Sequence, residues 1–370
     1  MLTTQAASCK HRARQRVDNV PQKRTRAALR EDASMAETRS REIRLKNRPV
    51  GLPQESDFEL VTVPVPDPGA GEVLVRNLYM SVDPYMRGRM LDQPSYVQPF
   101  QVGQPLDGGC IGQIVQSQGG KLQAGDYVLG RKGWREYYVS DSAELTRIDP
   151  TVAPVQAYLG TLGMPGLTAY VGLLDIGQPK AGETVFVSAA AGAVGTVVCQ
   201  IAKLKGCRVV GSAGSPAKVA WLREVAGVDA ALNYKDVGSL TAELGKHCPH
   251  GVDVYFENVG GAHLEAALEH MNHFGRLVLC GMISHYNETT PSSGPRNLRF
   301  AVRKRLTLRG FIVSDHLDRQ AQFYADMGAW IAAGQMKWQE TVVDGLENAP
   351  KAFIGLFQGE NSGKMLVRLA

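Results

Sequence analysis

The segment Ala189-Ala190-Ala191-Gly192-Ala193-Val194-Gly195 follows a short apolar run, Thr184–Ser188 (TVFVS), and opens an amphipathic stretch, Val194–Lys205. A strand, a glycine loop and a helix in that order form the context in which a dinucleotide diphosphate is bound. Gly192 lets the backbone approach a diphosphate, and Gly195 allows close packing of helix against sheet. Ala193 and Val194 bring the chain into the helix, whose start offers unpaired N–H groups and the positive end of its dipole. Ala190 stands where the common fingerprint has its first glycine; alanine is compatible there if its φ is negative. A glycine loop by itself also serves as a tight turn. The strands and helices around this one favour the nucleotide reading.

The next strand end indicates which nicotinamide nucleotide is expected. An NAD site carries Asp or Glu about 20 residues on, accepting from the ribose hydroxyls. Here the chain reads Gly211-Ser212-Ala213-Gly214-Ser215-Pro216-Ala217-Lys218, without a carboxylate. Ser215 can hydrogen-bond a phosphate and Lys218 can neutralise one, which favours NADPH/NADP+. No metal ligand set is expected. No histidine lies between His11 and His247, Cys110 in Asp107-Gly108-Gly109-Cys110 stands alone, and no four-cysteine cluster exists. His263, His270, His273 and His285 do not match a metal spacing and are expected mostly on the surface. No G-x-S-x-G elbow supports a hydrolase.

These residues need a frame. Between about 40 and 155, short alternating runs separated by Pro and Gly turns read as strands: Phe58–Val65, Glu72–Val82, Cys110–Gln116, Asp126–Leu129 and Glu136–Val139. From about 160 the pattern changes to apolar strands alternating with helices of about ten residues, the mark of parallel βαβ units. Strands are expected at Thr184–Ser188, Arg208–Gly211, Ala230–Tyr234, Val252–Phe256, Arg276–Cys280 and Leu306–Val313. A helix at Asp318–Ala333 and a closing strand at Lys364–Leu369 return the chain to the first domain. The expected class is α/β: a Rossmann-type doubly wound parallel sheet inserted in a β-rich domain. Its divisions are 1–37 (tail), 38–159, 160–313 and 314–370.

The 370 residues carry a net charge of +5, and 44% are hydrophobic. Residues 1–34 alone supply +5, from eight basic and three acidic side chains. The remainder is balanced, which argues against a nucleic-acid partner. No apolar run reaches the roughly 18 residues of a membrane span. The six cysteines are scattered without a C-x-x-C pair, which fits a reducing compartment. The tail lacks the apolar stretch of a secretion signal. It is read as disordered, with Met35 the more natural beginning, although its basic, acid-poor composition also fits a mitochondrial transit peptide.

Six motifs carry a resemblance that covers about residues 38–370. They are Met80-Ser81-Val82-Asp83-Pro84-Tyr85-Met86-Arg87, Gly163-Met164-Pro165-Gly166-Leu167-Thr168-Ala169-Tyr170, Ala189–Gly195, Leu232-Asn233-Tyr234, Phe256-Glu257-Asn258-Val259-Gly260-Gly261 and Ser284-His285-Tyr286-Asn287. The chain resembles the zinc-independent branch of the medium-chain dehydrogenase/reductases that includes prostaglandin and curcumin reductases. The resemblance implies a GroES-like first domain and an NADP-binding second one. It places Lys218 and Tyr234 at the 2′-phosphate, Asn258 beside the cofactor, and Met164 and Thr168 under the nicotinamide. Cys280, Gly281, Met282, Ile283, Ser284 and His285 would wrap the nicotinamide half, with Phe311, Ile312 and Val313 packed beside it. Asn361 would reach the cofactor from the other domain. Phe311 and Ile312 read equally well as core, and Tyr234 as a packed aromatic.

The chemistry so implied is conjugate reduction: hydride to the β-carbon of an α,β-unsaturated ketone or aldehyde, charge collecting on oxygen as an enolate, and a proton to the α-carbon. Without a metal, a hydrogen-bond donor must hold that charge. A tyrosine is a neutral donor at pH 7, and Tyr286 and Tyr85 are the candidates. Tyr286 can instead orient the nicotinamide ribose, whose hydroxyl then meets the enolate, and Tyr85 can be core. A quinone reductase of the same fold and an NADPH-binding sensor with little turnover are the competing readings. A small-molecule substrate, a cytoplasmic location, no membrane and a homodimer complete the expectation.

Overall fold

In the computed structural model, the described residues are 37–290 and 292–370. The readings of the basic tail and of Met35 lie outside them. Strand β1 (Arg39–Leu45) pairs antiparallel with β2 (Phe58–Pro64). The sequence does not announce β1, because only Ile43 and Leu45 of it are apolar and both of its faces are covered. Ser40 and Glu42 are buried there, and Arg44 donates to the Glu42 carboxylate at 2.8 Å. Strand β3 (Glu72–Ser81) runs into the short helix α1 (Met86–Arg89). Strands β4 (Cys110–Ser117), β5 (Tyr127–Gly130), β6 (Tyr137–Asp141) and β7 (Thr146–Arg147) follow.

Helix α2 (Met164–Val171) leads into the alternating region. Its strands are β8 (Thr184–Val187), β9 (Arg208–Ala213), β10 (Ala230–Asn233), β11 (Val252–Glu257), β12 (Met271–Leu279) and β13 (Thr307–Gly310). The helices between them are α3 (Gly195–Leu204), α4 (Pro216–Glu224), α5 (Leu240–His247), α6 (Gly261–His270) and α7 (Arg299–Lys304). The six strands form one parallel sheet in the order β10-β9-β8-β11-β12-β13. The order reverses direction around β8, so a crevice opens beyond the carboxyl ends of β8 and β11. Apolar strands suit this sheet because it is covered on both faces: all four residues of β8 are buried.

Beyond β13 the helix expected at Asp318–Ala333 forms, preceded by a turn of 3₁₀ helix. This 3₁₀ stretch, Val313–Arg319, bends at His316 before α8 (Gln320–Ala332) begins. The chain then forms β14 (Glu340–Asp344), α9 (Ala349–Gln358) and β15 (Lys364–Arg368). Strand β15 pairs antiparallel with β3, so the C-terminus completes the sheet begun near the N-terminus, in the order β14-β15-β3-β4-β5-β7 with β6 also on β3. Each sheet has its own core: Phe58, Trp134 and Phe353 meet in one, and Phe186 stacks on Tyr255 at 5.0 Å in the other. No helix among the described residues is long and apolar enough to cross a membrane.

Candidate active site

The glycine loop sits at the carboxyl end of β8. Ala190 keeps a negative φ, and Ala189 takes the left-handed turn at φ +47°. A Cβ on Gly195 would lie 2.4 Å from the Ala189 carbonyl oxygen and 2.8 Å from the Ala190 Cα, so only glycine fits there. Helix α3 starts without a side-chain cap. Its first N–H groups are therefore not satisfied by a Ser, Thr or Asp, the state that suits a phosphate. The opposite sheet closes on this loop: the Gly363 amide donates to Ala191 O at 2.8 Å, and Gly363 bridges to Gly192. Asn361 stands beside it, its amide donating to Gly363 O at 2.8 Å.

At the end of β9, Ser215 caps α4 by accepting from the Lys218 amide at 3.4 Å. The Lys218 ammonium donates to Gly359 O at 2.6 Å, a main-chain carbonyl of the C-terminal segment. Burial lowers its pKa, and the neighbouring Lys235 lowers it further. A phosphate dianion would relieve that repulsion. Tyr234 leaves β10 with its hydroxyl over Gly214, where a Cβ would come within 2.9 Å. His263 lies beneath it, edge-on to the Tyr234 ring at 4.9 Å and with Nε2 2.9 Å from the Ser212 hydroxyl. It is 4% exposed, and burial takes its pKa down to about 4, so it is neutral at pH 7. This corrects the surface reading of the four histidines: only His273 is exposed, and His270 and His285 are half-buried.

The other end of the crevice is an open cavity of ≈ 440 Å³, lined by Cys280, Gly281, Met282, Phe311, Ile312 and Asp315 among others. Its floor is tied by Glu257, a fully buried carboxylate at the end of β11. Glu257 Oε1 accepts from the Ser188 hydroxyl at 2.9 Å and from the Val259 amide at 2.7 Å. Its carbonyl accepts from the amides of Cys280 (3.0 Å) and Gly281 (3.1 Å). Asn258 donates through its side chain to Ser188 O at 2.8 Å, and its carbonyl accepts from Ile283 at 3.2 Å. The Ser284 amide donates to Val259 O at 3.0 Å. One acid thus draws three loops together. Its place directly after the apolar run Val254-Tyr255-Phe256 is the available signal, and the sequence analysis assigns it no role.

The two tyrosines sit differently. The Tyr286 hydroxyl accepts from the Met282 amide at 3.3 Å, which leaves its own hydrogen free to donate. Gly281 permits this, since a Cβ there would lie 3.0 Å from that oxygen. Burial raises the Tyr286 pKa, opposed by the Met282 bond. Tyr85 precedes α1 in the other sheet's motif, and burial, then the Asp83 carboxylate, raises its pKa strongly. Cys280 is pushed up to about 12 by burial, so its thiol is not a nucleophile at pH 7. Met164 is 41% exposed at the start of α2, and the Thr168 hydroxyl donates to Met164 O at 2.8 Å. Val313 opens the 3₁₀ stretch beside the cavity. Among the described residues, no group of three or more His, Cys, Asp or Glu is placed to hold a metal ion.

A glycine loop at a helix start without a side-chain cap, with Lys218 and Lys235 close by, offers amide and cationic partners for a dinucleotide phosphate, so the residues fit such a cofactor. Known proteins agree. Residues 41–148 match the family described as the N-terminal domain of oxidoreductase, and residues 193–333 the family described as zinc-binding dehydrogenase. A putative NADP-dependent oxidoreductase of Bacillus subtilis is 49% identical over 331 residues, 89% of this chain and 97% of that protein. The 2-alkenal reductase (NADP(+)-dependent) of Nicotiana tabacum is 44% identical over 339 residues, 90% of this chain and 98% of the relative. The crystal structure of CurA in complex with NADPH, from Vibrio vulnificus, superposes with a TM-score of 0.85 at 43% identity, covering 89% of this chain and 99% of that one.

Proposed function

The chain belongs to the zinc-independent medium-chain dehydrogenase/reductase family, and from that premise we propose that it is an NADPH-dependent reductase of the carbon–carbon double bond in α,β-unsaturated ketones and aldehydes. In this reading residues 160–313 hold the cofactor, while 38–159 and 314–370 form the substrate side. Gly192–Gly195 with the start of α3 take the diphosphate. Ser215, Lys218 and Tyr234 take the 2′-phosphate, Cys280–His285, Phe311–Val313, Met164 and Thr168 surround the nicotinamide half, Asn258 lies beside the cofactor, and Asn361 reaches it from the other domain. When bound, NADPH supplies the hydride that adds to the substrate β-carbon.

The observation that carries the reading is Tyr286: its oxygen is held by the Met282 amide, and its hydrogen remains to donate. As the β-carbon gains the hydride, the carbonyl oxygen takes up negative charge, and the Tyr286 O–H donates to it. The α-carbon then gains a proton, for which Tyr85 is the protein's candidate donor. Burial keeps both phenols protonated, so each can donate at neutral pH.

The experiment is NADPH consumption on an enone panel and a quinone panel, with products identified. Saturated ketones and aldehydes are expected. Turnover confined to quinones would replace this reading with a quinone reductase. Tight NADPH binding with no turnover on either panel would replace it with a sensor. The cytoplasmic location and the homodimer are part of the proposal; sedimentation equilibrium tests the second.

A further inference from the structure

Arg87 is 2% exposed, yet among the described residues no carboxylate bonds its guanidinium. Its Nε donates to Asn287 Oδ1 at 3.0 Å. Its Nη2 donates to the carbonyls of Gly51 at 2.9 Å and Pro49 at 3.2 Å. Its Nη1 is buried with no partner among the described residues. Burial lowers the pKa of this group, and only the more distant charge of Asp57 opposes that. A buried cation so placed is costly, and an apolar side chain of similar size is often neutral or better for stability. Folding stability alone therefore does not account for an arginine here.

Its neighbours suggest what does. Arg87 lies two residues after Tyr85, and Asn287 is the residue after Tyr286. The bond between them joins positions 200 apart in the chain. The same guanidinium holds the segment 49–51. That segment packs on the Asn287 loop: a Cβ on Gly51 would touch Thr289 Cγ2 at 3.6 Å and Asn287 O at 3.8 Å. One planar group thus fixes three segments, and two of them carry the phenols.

We propose that Arg87, through Asn287, is a positioning residue that sets the separation of the Tyr85 and Tyr286 segments for double-bond reduction. The functional half of this rests on the reading above; the geometric half does not. The guanidinium fork suits the task, because it meets several acceptors in one plane, which an ammonium does not. A donor misplaced by about 1 Å can cost on the order of a hundredfold in rate.

The test uses the full-length protein, with and without NADPH, as parent, Asn287→Ala, Asn287→Asp and Arg87→Lys. Amide hydrogen exchange is read together with kcat on an enone and KM for NADPH. In Asn287→Ala, exchange at the hydrogen-bonded amides of residues 86–90 and across 284–289 is expected to quicken about tenfold, and kcat to fall about tenfold, the loss of one hydrogen bond to a charged group. KM for NADPH is expected to stay near the parental value. Asn287→Asp, which restores an acceptor, is expected to recover both readouts. Arg87→Lys is expected to behave as Asn287→Ala; should it not fold, the two Asn287 variants still decide. Exchange that quickens only in 284–289, or a parental kcat in Asn287→Ala, overturns the proposal. A parent that reduces no enone, with the paired exchange pattern intact, overturns the proposed activity and leaves the latch standing.

Discussion

At the end of the crevice proposed to hold the 2′-phosphate, Ser215, Lys218 and Tyr234 hang from the ends of two neighbouring strands, β9 and β10, which pair in parallel register. At the nicotinamide end, Tyr286 follows β12, Tyr85 follows β3 of the other sheet, and Glu257 ties the loops beneath them. The first end is half-open, and Tyr234 keeps 37% of its surface. The second keeps the Glu257 carboxylate fully buried and the two phenols half-buried. The contrast follows from the work each end has to do. Holding a phosphate needs charge and N–H groups, which a strand-to-helix turn supplies locally. Holding a developing oxyanion needs donors kept protonated and fixed in place, which takes burial and supports from distant segments.

The comparison breaks first at Tyr286. Tyr286→Phe is expected to lower enone kcat by about two to three orders of magnitude, as loss of an oxyanion donor does. NADPH affinity, read by fluorescence titration, is expected to hold. An equal loss in both would make the nicotinamide end a binding site like the other.

His263 makes the next test. Its folded pKa of about 4 lies below the ordinary 6.5. The unfolded chain therefore binds the proton first as pH falls, and stability is lost from pH 6.5 toward 4. The full difference is about 3 kcal/mol. Urea unfolding at pH 7 and pH 4.5 should show His263→Leu losing less stability on acidification than the parent. Parallel losses would mean that His263 is not buried neutral beneath Tyr234.

Lys218→Ala is expected to weaken NADPH about tenfold, the worth of one charge-assisted contact, with NADH affinity and saturated kcat unchanged. A drop in kcat would show that the two ends are coupled. The smallest expected effect is none: kcat of the parent should show no descending limb through about pH 9, below the ordinary phenol range. Raised phenol pKa values keep the donors protonated there, and a fall near pH 9 would remove both tyrosines from the role of donor.

Much of the phosphate end was legible because its parts are close in sequence. The loop Ala189–Gly195 and the acid-free stretch Gly211–Lys218 each lie within one strand–helix turn. Alternating strands and helices also announced the parallel sheet. Strand β1 was hidden because it buries polar Ser40 and Glu42 on one face as well as Ile43 and Leu45 on the other, which blurs the usual alternation. His263 read as a surface residue because a lone histidine on a helix gives no sign of the ring above it. The helix expected at Asp318–Ala333 forms as α8, and what the sequence did not announce is the 3₁₀ stretch Val313–Arg319 before it, kinked at His316.

By itself, then, the sequence determined the turns. Gly195 must be glycine where a Cβ would strike the Ala189 carbonyl, and a strand end without an acid already favours a phosphate. Spacing along a chain fixes local geometry, because each turn closes over a few residues. The tertiary structure alone decided which turns face each other. Gly363 on Ala191, Gly359 on Lys218, and Asn287 on Arg87 join positions more than 100 residues apart. No local pattern encodes such pairs; they exist only once two separate cores have packed and the C-terminal strand has returned to β3.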